Sequence, residues 1–374
     1  MKVKTITCHH VYNYGASLQA YALMSFIRSK GHEVEIIDYM PQYIRKNLSL
    51  WAIGSRWNKN FLIRFAFYCY VVPIRLLQYK SRKKFDEFSN KYFKLTQRYN
   101  SFEELAADPP KADIYFCGSD QIWNPEIQNG LDPAFYLDFV PSGVMRASYA
   151  ASFSVPFIKN EYKSFIKKLL GKLDFISVRE KTGIEIVQSL AVRKNAVNVV
   201  DPVFLLDSSQ WVSMTYIPSY TNYILVYDQE NNKAIKEIAR SIAQNNGKKI
   251  IAFKDLYPRN YADIKIKYSG PIDFISLIAY ADAVITNSFH CMAFSIIMNR
   301  NFYVVPRTHQ KVNSRMNDFL TCLNMSDRIV KNKKEMESCK EINYDYVNST
   351  ITKLRKDSEN YIDKCLEAAS KNKR

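Results

Sequence analysis

Glycine is scarce, at ten of 374 residues. None falls in a G-x-G-x-x-G or G-x-x-x-x-G-K-[ST] arrangement, which removes the dinucleotide fingerprint and the P-loop from consideration. No period recurs along the chain, so a solenoid or other repeat architecture is excluded. The seven cysteines, at positions 8, 69, 117, 291, 322, 339 and 365, are scattered and never form C-x-x-C. That pattern suits neither a zinc ribbon nor a disulfide framework and reads as reduced thiols in a reducing compartment. Residues 1–20 lack a basic segment followed by an apolar run, so a cytoplasmic location is expected.

Long hydrophobic runs are missing too. The most apolar stretch, Phe61–Leu77, is interrupted by Arg64, Pro73 and Arg75. It falls short of the roughly 20 residues that a spanning helix requires. Two readings remain for it: a buried helix pair under a solvated basic face, or an amphipathic element lying on a membrane surface.

What is present is a globular composition, 47% hydrophobic and 24% charged, at a length that suits two domains. The net charge of +17 is concentrated. Residues 42–100 hold thirteen Lys and Arg against only Asp86 and Glu87. Such a tract implies a polyanionic neighbour: nucleic acid, anionic lipid head groups or a phosphorylated carrier.

Lys2–Cys8 reads as a strand, followed by a helix that Gly31 stops and by a second strand at Glu33–Tyr39. This strand–helix–strand unit favours a parallel sheet. Further strands are expected at Ile114–Cys117, Arg146–Ala150, Phe175–Val178 and Ala196–Val200, with helices at Asn160–Leu170 and Thr182–Leu190. The polar stretch Asp207–Asn222 is the candidate linker. A second unit follows with strands at Tyr223–Tyr227, Lys249–Phe253, Ala283–Thr286 and Phe302–Val305. Its helices are Asn232–Asn245, Asp273–Ala279 and His290–Met298, and a terminal helix covers about Tyr344–Ala369. The domains are then 1–206, 223–343 and a closing helix over 344–374, with 42–100 as a basic, aromatic insertion.

In open α/β sheets ligands collect at the carboxyl ends of strands, and the polar residues beyond those ends are the candidates. Asn287-Ser-Phe-His290 lies between a strand and a helix start, a natural anion site. Capping of that helix by Asn287 or Ser288 is the alternative reading, and His290 suits either proton transfer or a structural place. Arg307, Lys311 and Arg315 follow the next strand as a basic loop suited to an anion. In the first half, Ser119, Asp120, Gln121 and Asn124 offer groups for sugar hydroxyls, and Trp123 offers a stacking face. Arg179 ends a strand as a further anion clamp. His9-His10 makes a poor metal pair if the chain there is extended, because neighbours then point to opposite faces; no metal is expected.

Six segments occur in order: Asn13-Tyr-Gly-Ala-Ser-Leu-Gln-Ala-Tyr-Ala-Leu23, Gly118-Ser-Asp-Gln-Ile-Trp-Asn-Pro125, Ser148-Tyr-Ala-Ala151, Val178-Arg-Glu180, Asp201-Pro-Val203 and Thr286-Asn-Ser-Phe-His290. Together they resemble the polysaccharide pyruvyl transferase family over about residues 5–325. The resemblance implies an α/β fold of two Rossmann-like domains facing across a cleft, similar to GT-B glycosyltransferases, with the C-terminal helix crossing back. It implies phosphoenolpyruvate as co-substrate, a saccharide acceptor, ketal formation and no cofactor. His290 and Arg179 become the catalytic pair, with Asn287, Ser288, Phe289, Arg307, Lys311 and Arg315 on the donor. His9, Asn13, Tyr14, Gly15, Ser119, Asp120, Gln121 and Trp123 fall to the acceptor. Where some relatives carry a basic residue just before the histidine, this chain has Ser288-Phe289. Residues 42–100 are then expected to dock on the inner membrane face, where a lipid-diphosphate-linked acceptor is presented, rather than on nucleic acid. The competing readings are a GT-B glycosyltransferase using a nucleotide sugar and a basic nucleic-acid-binding protein.

Overall fold

A computed structural model describes residues 1–48, 51, 53, 58–192, 195–253, 259–308 and 313–372. Its strands are β1 Lys2–Ile6, β2 Glu33–Tyr39, β3 Leu95–Tyr99, β4 Ile114–Cys117, β5 Met145–Ser148, β6 Ile176–Val178, β7 Ala196–Asn198, β8 Tyr223–Tyr227, β9 Lys249–Phe253, β10 Ile264–Ile266, β11 Ala283–Thr286 and β12 Asn301–Val304. They form parallel sheets in the order β3-β2-β1-β4-β5 and β10-β9-β8-β11-β12. Bridges from Ala147 to Phe175 and from Ala151 to Val178 carry the first sheet on to β6 and β7. The two halves therefore repeat one topology, with chain order reversing between β1 and β4 and between β8 and β11. Those reversals are where open α/β sheets hold ligands.

The central strands are apolar on both faces because helices cover both, and every residue of β4, β8 and β11 is buried. Asn13 caps the Tyr14–Ser29 helix by accepting from the Ala16 N–H at 3.2 Å. Gly31, at φ 81°, turns the chain out of that helix in a conformation that glycine adopts without strain.

Three contacts join the halves. Tyr14 lays its ring on Phe274 of the Pro271–Ala279 helix, 4.6 Å between centroids and 4° from parallel. Its hydroxyl meets Ser269 Oγ at 2.6 Å. The Tyr344–Asn372 helix returns to the first half, where Tyr361 donates to the Ser148 carbonyl at 2.8 Å and Ser358 Oγ accepts the Val200 N–H at 3.0 Å. The third is a 32-residue helix, Phe61–Tyr92, whose inner part packs on both halves: Lys84 pairs with Asp273 at 2.8 Å, and Phe85 contacts Tyr14.

Four expectations change. Residues 42–100 are not a plain insertion, because they contain β3, the edge strand of the first sheet. The apolar stretch is no buried helix pair: it is the outer part of that single long helix, with Pro73 inside it. Phe61, Leu62, Phe65, Tyr70, Leu76 and Tyr79 there are each more than half exposed. The linker Asp207–Asn222 contains a helix, Ser208–Val212, closed by a reciprocal Asp207–Gln210 capping box, and it buries Trp211 completely. Trp123 has no face to offer a sugar. It is fully buried, its Nε1–H donates to the Phe135 carbonyl at 2.9 Å, and its ring stacks on Tyr136 at 5.5 Å.

Trp123→Ala is therefore expected to cost about 3–5 kcal/mol through the cavity it leaves, measured by urea unfolding. A change within about 0.5 kcal/mol, the usual range for surface substitutions, would return the indole to a binding role.

Candidate active site

The ends of β8 and β11 are stapled before any ligand arrives. Asn287 donates from Nδ2 to Asp228 Oδ1 and accepts the Gln229 N–H on Oδ1, each at 2.9 Å. Arg307 Nε donates to the Asn287 carbonyl at 3.1 Å. Both side chains, expected on a donor, hold the strand ends in register. Ser288 occupies the cap position of the Phe289–Ile297 helix, yet its side chain makes no capping bond. Its N–H instead donates to Thr286 Oγ1 at 3.0 Å. Neither Asn287 nor Ser288 thus caps that helix, whose first turn presents Phe289 and His290.

His290 meets the first half of the chain. A Cβ placed on Gly15 would lie 2.0 Å from His290 Nδ1, so the imidazole packs directly on the glycine backbone. A side chain at this position would displace the imidazole. His290 Nε2 lies 3.5 Å from Asp201 Oδ2 and makes no hydrogen bond.

Asp201 sits beyond β7 and is almost wholly buried. Its Oδ2 accepts from Arg179 Nη1 at 2.6 Å, and its Oδ1 accepts the Val203 N–H at 3.2 Å. Burial would raise this carboxyl, but His290 and Arg179 outweigh it and hold it well below the usual carboxylate range. Arg179 reaches from the end of β6 and also contacts Asp120 at 3.3 Å. Burial opposes its charge, yet Asp201, Asp120 and Glu180 raise it above the ordinary guanidinium value.

The guanidinium groups of Arg179 and Arg315 lie 4.9 and 5.9 Å from the centroid of the Phe289 ring. Arg315 belongs to the first turn of the Asn313–Cys322 helix rather than to a loop. It is buried, its Nε finds no partner, and among the described residues it forms no ion pair. Burial, and then Arg179 beside it, push it down to about 10. Arg179, Asp201, Phe289 and Arg315 line a cavity together with Asp318 and Ser358. Lys311 lies outside the described residues.

His290, Arg179, Arg315, Phe289, Asp120 and Gly15 are thus brought together, while most other candidates are engaged elsewhere. Asn13 caps its own helix and Tyr14 joins the halves. Ser119 is fully buried and donates to the Ala150 carbonyl at 2.7 Å. Gln121 accepts from Asn124 at 3.3 Å. His9 stands beside His10 and Asp38, and burial and then His10 push it down to about 3. The chain turns at 9–10 instead of running extended, which places the two imidazole centroids 3.9 Å apart. The two imidazoles therefore do not point to opposite faces as they would on an extended chain. Two acidic residues escaped the sequence reading. Asp201 lay within a quoted motif, and the signal was a lone acid at a strand end that a buried Arg179 must find. Glu180 accepts from Ser152, Phe153 and Ser154 and keeps Oε2 unpartnered.

Asp201→Asn leaves Arg179 buried with Asp120 alone. The expected cost is about 3 kcal/mol, the lower end for breaking a buried pair. Because the folded carboxyl lies below its unfolded value of about 3.9, its contribution is present at neutral pH and is lost as the pH falls below about 4. Urea midpoints of wild type and variant should differ at pH 7 and converge in acid. A constant gap at all pH values would deny the linkage.

Among solved structures, a UDP-GlcNAc 2-epimerase from Neisseria meningitidis, bound to UDP-GlcNAc, matches with a TM-score of 0.50 at 11% identity. The match covers 98% of this chain and 94% of that one. The glycosyltransferase SnogD from Streptomyces nogalater matches at 0.42 with 10% identity, over 100% and 99% of the two chains. The epimerase likeness establishes the fold, two Rossmann-like halves in the GT-B manner. No curated protein matches the chain. The family model described as polysaccharide pyruvyl transferase matches residues 13–309, a span that begins at the cap of the helix packed on His290 and takes in Arg179, Asp201 and His290 itself; the chain belongs to that family.

Proposed function

We propose that this enzyme transfers the pyruvyl unit of phosphoenolpyruvate to a saccharide as a ketal, and that Arg179, Arg315 and His290 hold and activate the donor. The observation that carries this reading is Arg315, a buried cation that forms no ion pair among the described residues, 5.9 Å from a ring that Arg179 also contacts. A buried unpaired charge is costly, and an anionic ligand relieves it. Phosphoenolpyruvate brings two anionic groups, a phosphate and a carboxylate. Where relatives place a cation just before the histidine, Arg315 supplies one from a different helix.

In the proposed reaction the His290 imidazolium gives its proton to the methylene carbon of phosphoenolpyruvate, which leaves the adjacent carbon electrophilic. A sugar hydroxyl attacks that carbon and returns its proton to the imidazole. The carbon–oxygen bond to phosphate then breaks, inorganic phosphate departs with the second hydroxyl's proton, and that hydroxyl closes the ketal. The ionised Asp201, 3.5 Å from Nε2, gives the imidazolium a counter-charge, as the acid does in a Ser-His-Asp triad. Proton transfer of this kind contributes about 10²–10⁴-fold, and fixed cations around a departing phosphate add electrostatic stabilisation. The scheme needs no cofactor.

No helix among the described residues is long and apolar enough to cross a membrane. We propose a peripheral, cytoplasmic placement through the outer part of the Phe61–Tyr92 helix. Phe61, Leu62 and Phe65 project beside Arg64 there, the pairing of apolar and basic groups that suits anionic lipid. A lipid-diphosphate-linked acceptor would be met at that surface.

Two experiments test these readings. Phosphoenolpyruvate should raise the melting temperature of wild type, and with a hexose acceptor it should release inorganic phosphate. Arg315→Met, which removes an unpaired buried charge, should melt no lower than wild type without donor yet gain nothing from phosphoenolpyruvate. Gly15→Ala and His290→Ala should each reduce phosphate release by at least about 10²-fold and keep the fold. Stabilisation by a nucleoside diphosphate sugar alone would give the site to glycosyl transfer. For the membrane, exchanging Phe61, Leu62 and Phe65 for Ser should abolish co-sedimentation with phosphatidylglycerol vesicles, which 0.5 M salt, with a Debye length of roughly 3–8 Å, should weaken. Equal binding by the variant would remove the helix from that role.

A further inference from the structure

We propose that His9, His10 and Asp38 form a site for one first-row divalent cation of the zinc class, held at the carboxyl ends of β1 and β2. The key atom is His9 Nε2. His9 Nδ1 lies 3.2 Å from the Thr7 carbonyl oxygen, which accepts only, so the ring proton sits on Nδ1 and Nε2 carries a lone pair. That side chain is 1% exposed, and Nε2 finds no hydrogen-bond partner among the described residues. The carboxylate oxygen Asp38 Oδ1 lies 3.9 Å away. A buried lone pair facing a carboxylate oxygen across a gap is unfavourable until a cation stands between them.

The remaining groups suit that cation. His10 Nε2 is hydrogen-bonded to the same Oδ1 and supplies a second imidazole once its proton leaves. The three ligand atoms lie within 4.8 Å of one another. Bonds of about 2.0–2.2 Å in a tetrahedral array require the His9–Asp38 gap to close slightly and the His10–Asp38 hydrogen bond to open. The Nδ1–H to carbonyl bond of His9 is the outer contact that orients ligating histidines. Arg98 Nε donates to Asp38 Oδ2 at 3.1 Å, which fixes the carboxylate and leaves Oδ1 inward. Arg98 is half exposed, so water screens its charge. Two imidazoles and one carboxylate leave a coordination position open for water or a ligand oxygen.

The loop that carries these histidines continues into Asn13 and Gly15, the glycine that packs on His290. A cation there would tie that loop to β2 and so set the position of the surface against which His290 rests. This inference does not depend on the identity of the donor.

The full chain, stripped with chelator, is titrated with Zn²⁺ by equilibrium dialysis and separately with Co²⁺, whose visible bands report nitrogen and oxygen ligation. Wild type should take up one equivalent. Asp38→Asn and His10→Gln should each weaken uptake by about 10–100-fold or more, with circular dichroism confirming that they remain folded. Cys69→Ser, which alters an exposed thiol, should change nothing. Absence of stoichiometric uptake by wild type would overturn the site. So would uptake that survives both ligand substitutions, or Co²⁺ bands of thiolate character that vanish with Cys69.

Discussion

One carboxylate organises the centre of this molecule. Asp201 takes Arg179 on Oδ2 at 2.6 Å and has His290 Nε2 3.5 Å from the same oxygen. Arg179 comes from the first sheet, and His290 comes from the helix after β11 in the second. A buried ion pair contributes little net stability, because desolvation offsets most of its attraction. Its effect here is positional: it fixes an imidazole from one half against a guanidinium from the other. Gly15 completes the arrangement from the opposite side, since any side chain there would occupy the imidazole's place.

Around that centre the polar groups divide into two sets. Asn287, Arg307, Asn13 and Ser119 all have hydrogen-bond partners inside the protein, and these bonds are what hold the strand ends and the helix start. Arg315 Nε, Arg179 Nε, Glu180 Oε2 and His290 Nε2 are buried and have no such partners among the described residues. Native proteins satisfy nearly all their buried polar atoms, so four unsatisfied ones set together are what singles out this candidate site. Residue type alone cannot make this distinction, because an asparagine at a strand end is equally suited to a ligand or to a staple.

That limit explains what was legible in the sequence. The central strands were readable because parallel strands buried on both faces are continuous apolar runs: Y-I-L-V-Y and A-V-I-T need no alternation to be recognised. The edge strands β3 and β10 were not, because L-T-Q-R-Y and I-K-I are short, polar and only partly covered. His290 and Arg179 were legible as candidates from their places at strand ends. Trp123 was misplaced by the same rule, since a polar loop on either side says nothing of the pocket its ring fills. Arg315 read as a loop residue because its helix begins only two residues earlier. Asp201 and the His9–His10 pair became meaningful only through partners that folding brings from far along the chain.

The concentration of positive charge lies outside this centre, and the long Phe61–Tyr92 helix connects the two. At about 1.5 Å per residue it spans about 48 Å. Its exposed outer part carries Phe61, Leu62 and Phe65. Its inner part holds Ser81, within 3.3 Å of the Ser269 N–H, and Lys84, paired with Asp273. Ser269 in turn meets the Tyr14 hydroxyl, one residue before Gly15. A surface that engages the outer part is therefore linked, through hydrogen bonds and a stacked aromatic pair, to the contact that positions His290. The same helix that we propose holds the enzyme at a lipid surface also braces the two halves across their cleft, so that docking and alignment of the site would rest on one element.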